Sequence, residues 1–274
     1  YTMKRALCIA LLVAFASGFG FAEGEPEGPY QDGIYFAMED AFSHGWKYVA
    51  TIEVMNGHIV SADWDGVSNT GGPTKDVVST SGKYPIVEAG GAQAPWHIQA
   101  ERAEAWLIEN QDPTKLTYID DAGHTDPISG VSVHLIEFFD LAEKALAAGP
   151  VGRGMYRDGY YSASDAEFNR GYKYFVELTV VNGYIASVDW NAYAEEDERT
   201  KDEISAAGEY PIVANGGAQA DWHVQGERAE AWLVENQDPS MITYIDDEGH
   251  TDAITGVSIH VIEFFDLADR KSVV

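Results

Sequence analysis

WKYVATIEVMNGHIVSADW, residues 46–64, decides the fold of this chain, and YKYFVELTVVNGYIASVDW, residues 172–190, repeats the decision 126 positions later. In the first copy Trp46, Tyr48, Ala50, Ile52 and Val54 alternate with more polar neighbours, which is the two-residue period of a half-buried strand. In the second copy Tyr172, Tyr174, Val176, Leu178 and Val180 keep that period more sharply. Asn56-Gly57 and Asn182-Gly183 follow at once. Asn-Gly suits the positive φ angles of a type I′ turn, so each strand is expected to return as the second arm of a hairpin.

Working outward, the same offset carries Asp32-Gly33-Ile34-Tyr35 to Asp158-Gly159-Tyr160-Tyr161 and His124-Thr125-Asp126 to His250-Thr251-Asp252, without a gap. Between Lys83 and Pro113, 24 of 31 positions match their partners. A unit of this length is far longer than a solenoid repeat, so a whole domain is duplicated. The expected domains are residues 30–148 and 156–270, joined by a linker over 149–155 in a stretch rich in alanine, glycine and proline. After each hairpin the spacing predicts helices. Ala100, Ala103 and Leu107 fall at i, i+3 and i+7, with Glu101, Arg102 and Glu104 outward, and Asp112-Pro113 closes the helix. A second helix is expected from near Val131, with an apolar stripe of Val131, Leu135, Phe138 and Ala142 and a twin in Val257, Val261, Phe264 and Ala268. The fold class is α+β: two similar domains, each an antiparallel sheet with a hairpin packed against helices.

The chain has 274 residues, 45% of them hydrophobic, which suffices for two ordinary cores and is too apolar for a disordered polymer. Its formal charge of −28 is spread along the sequence. Such a surface repels nucleic acid and anionic lipid headgroups, so no nucleic-acid partner is expected. Lys4 and Arg5 precede an apolar run from Ala6 to Phe21, and Gly20-Phe21-Ala22 offers small residues at cleavage spacing. Residues 1–22 therefore read as a signal peptide, and the protein as exported, periplasmic or extracellular, free or held at a surface. The alternative is an uncleaved anchor, for which the run falls short of the ~20 apolar residues that span a bilayer. The single cysteine, Cys8, lies in this segment. Intrachain disulfides, thiolate metal sites, iron–sulfur clusters and C-x-x-C-H haem attachment are excluded, leaving an organic cofactor or histidine-bound metal for any redox role.

One segment stands out ahead of the last helix of each unit: Asp126-Pro127-Ile128-Ser129-Gly130-Val131-Ser132 and Asp252-Ala253-Ile254-Thr255-Gly256-Val257-Ser258. It resembles the motif of the FMN-binding domain family, Asp-x-x-Ser/Thr-Gly-Ala-Thr before a helix. The Asp-Gly-x-Tyr opening, the Val-x-Asn-Gly hairpin, Glu109-Asn110-Gln111-Asp112-Pro113 and Phe139-Asp140-Leu141-Ala142-Glu143-Lys144-Ala145-Leu146 are similar to the tandem extracellular electron-transfer lipoproteins of that family. The resemblance implies FMN in each repeat, joined by a flavin transferase through a phosphoester to Ser132 and Ser258. It also implies a membrane-bound electron donor and an extracytoplasmic electron acceptor, as in an electron-transfer flavoprotein. Two residues depart from the motif: valine stands for its alanine, and serine for its threonine.

The physics of the segment is coherent by itself. A helix N-terminus exposes unpaired N–H groups and a positive dipole end that hold a phosphate. Gly130 and Gly256 let the phosphate approach the backbone, with Ser129 and Thr255 beside them. Ser132 and Ser258 supply the acceptor hydroxyl, and Asp126 and Asp252 orient the segment or are read by the transferase. The competing reading is a serine N-cap. Trp96 and Trp222 are candidates to stack on the isoalloxazine ring, or else core tryptophans. The recurring histidines lack the spacing of a local metal site, and no metal is expected. No catalytic residue is assigned: the two copies share no nucleophile–base constellation, which argues against a hydrolase. The rivals are a module binding flavin or another small ligand non-covalently, and a flavin-free surface protein.

Overall fold

The computed structural model describes residues 28–272; the signal-peptide reading lies outside them. Among the described residues no helix is long and apolar enough to cross a membrane. The first repeat runs β1 (Gly33–Met38), β2 (Trp46–Met55), β3 (His58–Ser68), α1 (Lys75–Thr80), α2 (Trp96–Asn110) and α3 (Ile136–Ala148). The second runs β4 (Gly159–Ser164), β5 (Tyr172–Val181), β6 (Tyr184–Ala194), α4 (Lys201–Ala206), α5 (Ile212–Gly216), α6 (Trp222–Asn236) and α7 (Ile262–Ser272). Each repeat has its own three-stranded antiparallel sheet, in the order β1-β2-β3 and β4-β5-β6, packed against helices. The α+β architecture with two similar halves is what the alternation and the duplication predict.

The hairpin turns form where Asn-Gly stands, with φ of 52° and 74° at Asn56 and Gly57 and 50° and 77° at Asn182 and Gly183. The aspartate of the Asp-Gly opening fastens each turn: Asp32 Oδ1 accepts from Gly57 N at 2.8 Å and Asp158 Oδ1 from Gly183 N at 2.6 Å. The inward faces of the strands meet the helices over a core of Trp64, Trp96, Leu107 and Phe138 in one repeat and Trp190, Trp222, Leu233 and Phe264 in the other.

Two expectations about the helices need correction. Glu104 is not turned outward: its Oε1 accepts from Trp64 N at 2.9 Å, and Glu230 does the same for Trp190 N at 2.7 Å. Gln111, in left-handed conformation just after α2, bonds both backbone groups of Ile59 at 2.8 Å, and Gln237 does so for Ile185. Strands β3 and β6 border their sheets, and these side chains satisfy amides that no neighbouring strand pairs. The last helix begins at Ile136 rather than near Val131. Val131 and Val257 belong to the apolar pattern because they pack against the cores from a loop, not because they share a helical face.

The repeats pack through their sheets' outer faces. Val49, Val67, Val181 and Ala186 form a small buried cluster, Phe36 stacks on Tyr184 at 5.2 Å, and Thr179 Oγ1 donates to Gly72 O at 2.6 Å. The connecting segment is strapped to both halves: Val151 N and Gly152 N donate to Ile34 O, and Gly154 N donates to Asn182 O.

Candidate functional site

The Asp-to-Ser segment is an irregular loop laid across the N-terminal half of α2 or α6. Ile128 and Ile254 anchor it in the cores, at 7% and 6% exposure. Gln99, wholly buried on α2, organises the serine: its Oε1 accepts from Ser132 N at 2.6 Å, Val133 N at 3.1 Å and Ser132 Oγ at 3.3 Å. Gln225 repeats this for Ser258 N, Ile259 N and Ser258 Oγ at 2.6, 3.2 and 3.2 Å. The amide ends donate to Ala94 O and Ala220 O, which fixes the orientation of each glutamine. Arg102 Nη1 and Arg228 Nη1 donate to Gly130 O and Gly256 O at 2.6 Å.

This geometry changes the account of several motif residues. Ser132 and Ser258 precede the helices by four residues, so neither the helix dipole nor an N-cap role explains them; a buried glutamine takes the amide that a phosphate was expected to hold. Gly130 and Gly256 are required by φ of 77° and 78° and because a Cβ there would collide with the arginine beside it. Asp126, Asp252, Ser129 and Thr255 are exposed, as are Ser132 and Ser258. The segment thus presents its polar groups outward while its isoleucine is buried.

Trp96 and Trp222 are core residues, 1% and 3% exposed, packed on Trp64 and Trp190 at 5.1 and 5.2 Å. Trp222 also lines an open cavity of about 680 Å³ whose wall includes Tyr172, Tyr174, Lys201, Tyr210 and Ser258. That size and aromatic lining suit a planar organic ligand. The wall contains what the sequence reading missed, a buried lysine. Lys201 Nζ donates to Tyr174 Oη at 2.6 Å and lies 4.5–4.8 Å from the ring centres of Tyr172, Tyr174, Tyr210 and Trp222. Lys75 Nζ donates to Tyr48 Oη at 2.5 Å among Trp46, Tyr48, Tyr84 and Trp96. Burial pushes the ammonium of Lys201 down to about 7 and that of Lys75 down to about 8. A signal existed in the sequence: of the 17 positions from Gly66 to Gly82, only Thr74, Lys75, Asp76, Ser79 and Gly82 keep their identity in the second repeat.

Ser79 and Ser205 account for another of these matches. Each hydroxyl lies 2.8–2.9 Å from Nδ1 of His97 or His223 and accepts from the same histidine's backbone N at 3.1 Å. A Ser–His pair therefore does occur in both copies, contrary to expectation. Both serines are buried, at 3% and 1%, and fasten the first turn of α2 or α6 rather than face a substrate. The other recurring histidines pair with nearby carboxylates, His124 with Asp120 at 2.7 Å and His250 with Asp246 at 2.8 Å, His134 with Glu137 at 3.4 Å and His260 with Glu263 at 3.0 Å. No group of three or more His, Cys, Asp or Glu able to hold a metal occurs among the described residues.

No family model matches the chain, and no curated protein does. Two solved structures are similar to about one repeat. A Clostridium thermocellum protein solved by NMR is 54% identical over 43% of this chain and 91% of that one, with a TM-score of 0.35. The chain belongs to that protein's family. A Clostridium perfringens protein solved by crystallography is 24% identical over 43% of this chain and 87% of that one, with a TM-score of 0.34.

Proposed function

We propose that the protein is an exported flavin-based electron carrier with one FMN in each repeat, attached by a phosphoester to Ser132 and Ser258. In this reading electrons, one or two at a time, come from a membrane-bound donor and leave to an extracytoplasmic acceptor. The observation that carries it is the exposed hydroxyl of Ser258 on the rim of an aromatic-walled cavity, a hydroxyl position that Ser132 repeats.

The chain's residues have definable parts in this. Gln225 and Gln99 accept the serine O–H and so turn the oxygen lone pairs toward solvent, where a flavin transferase approaches. Attachment forms an Oγ–P bond as the transferase's activated FMN donor loses its leaving group, and the hydroxyl proton passes to solvent. Arg228 and Arg102 hold the glycine carbonyl two residues upstream and keep the loop open. The valines beside the serines pack against the cores, so their bulk does not crowd the hydroxyl. The flavin supplies the electron chemistry, and the protein supplies its position, polarity and exposure.

The test is to co-express the full chain with a flavin transferase and record the intact mass after denaturation. Two FMN additions are expected, one lost in Ser132→Ala and one in Ser258→Ala. An unmodified mass in a protein that is yellow when native would replace covalent attachment by reversible flavin binding. A colourless, unmodified protein would overturn the flavin reading.

A further inference from the structure

Each repeat encloses an ammonium whose hydrogen-bonding capacity is not used up. An ammonium carries three N–H donors. Lys201 spends one on Tyr174 Oη, and Lys75 one on Tyr48 Oη. The surrounding ring faces balance charge but accept no conventional hydrogen bond. Lysine and arginine ion pairs among the described residues are those of Lys144, Arg153 and Arg199, so neither buried lysine has a carboxylate within 4.0 Å. Burying a cation with donors unspent is costly unless an acceptor arrives. In the second repeat that cation lies on the wall of the cavity shared with Ser258. Glu263, the carboxylate that acts on it, is itself engaged by His260 at 3.0 Å.

We infer that Lys201 is a positioning residue for the redox cofactor of the second repeat, directing its ammonium group at the edge of the flavin ring on which negative charge appears on reduction. This rests on the FMN reading above. Uptake of two electrons from the donor and one proton from water leaves one net negative charge on the ring system, concentrated at the N1 and C2 carbonyl edge of its pyrimidine ring. In a site walled by tyrosine and tryptophan, the Lys201 ammonium favours that charged form more than it would in water, and the negative charge on the ring in turn favours the ammonium over the neutral amine. The lysine thereby sets the potential without taking part in electron transfer. The aromatic walls keep the ammonium aligned.

The test uses the full chain carrying Ser132→Ala, so that any covalent flavin is at Ser258, and compares Lys201 with Lys201→Met and Lys201→Gln. Intact mass reports attachment, and a spectroscopic redox titration reports potential. Attachment is expected to persist in all three proteins. Both variants are expected to shift the oxidised-to-reduced ratio at least tenfold toward the oxidised form, about 30 mV more negative for a two-electron couple. Unchanged potential in either fully flavinylated variant would overturn the role of Lys201 while leaving the flavin reading intact. Absence of flavin from the Ser132→Ala parent, by mass and by colour, would overturn both.

Discussion

Three carboxylates, those of Glu137, Asp65 and Glu39, act on Lys75 in the first repeat, whereas Glu263 is the carboxylate that acts on Lys201 in the second. The aromatic boxes are otherwise near copies, with Trp46 in one standing where Tyr172 stands in the other. Asp65 has Asn191 as its counterpart, and the two make the same bonds: Asp65 Oδ1 accepts from Gly66 N and Asp76 N, and Asn191 Oδ1 from Ala192 N and Asp202 N. Burial pushes the Asp65 carboxyl up to about 7. The duplication has thus kept the cage, the glutamine and the serine while changing the charge around them. On the flavin reading, two cofactors held alike sit in unlike fields.

The comparison breaks most visibly in the cores. Trp64→Ala and Trp190→Ala remove equivalent buried rings and should each cost about 3–5 kcal/mol. Because the sheets and cores are separate, each variant should lower one of two unfolding transitions in a urea titration followed by circular dichroism. A single transition lowered by both would show that the small valine cluster welds the repeats into one unit.

Gln99→Leu and Gln225→Leu should come next, at about 2–3 kcal/mol, since each strands two backbone N–H groups and one carbonyl. Amide exchange at Ser132 and Val133, or at Ser258 and Ile259, should quicken in the altered repeat alone. Equal protection in variant and parent would remove the glutamine from its organising role.

Asp65→Asn sharpens the comparison by pH. The unfolded carboxyl titrates near ~3.9, and the folded one near 7. Between these values the folded chain holds a proton that the unfolded chain has lost, so stability falls as pH rises through this window and stays lower above it. The substitution should therefore leave stability almost unchanged at pH 4 and raise it on the order of 1–2 kcal/mol at pH 8. Asn191→Asp should produce the opposite slope. Denaturation midpoints at both pH values check the pair; parallel profiles would refute the assignment.

The smallest effect belongs to the threonines before α1 and α4. Thr200 forms a capping box with Glu203, while Thr74 makes no cap bond and instead bonds the Asp65 side chain. Thr200→Ala should cost about 0.5–1 kcal/mol at any pH near neutrality. Thr74→Ala should act by raising the Asp65 pKa further, seen in thermal melts as a loss of stability with rising pH that continues above pH 7, where the parent's has levelled off. Equal and pH-independent losses would mean that the two threonines do the same job.

The hairpins and the duplication were legible because their signals are local: strict alternation, then Asn-Gly, at one offset. The start of α3 was not. Val131 and Leu135 imitate helical spacing, yet the left-handed Gly130 and the bond from Gln99 hold that stretch as a loop until Ile136. Polarity placed Glu104 outward, but its partner is the amide of Trp64, 40 residues away, and only the approach of α2 to the border of β3 makes them meet. The motif serines and glycines were legible as a segment; their support was not, since Gln99 and Arg102 lie about 30 residues upstream on another element. Lys75 and Lys201 were missed because hydropathy counts lysine as surface, whereas four rings gathered from different elements make a place for one inside.

The borders of the sheets bear on how such a chain could arise. Glu104 and Gln111 close one side of the first sheet, and Val151 and Gly152 take a carbonyl on the other. A unit finished on both sides offers no template for its copy to extend. With the first unit finished on both sides, the second finds no strand in it to extend, so the two stay separate sheets instead of merging into a six-stranded one.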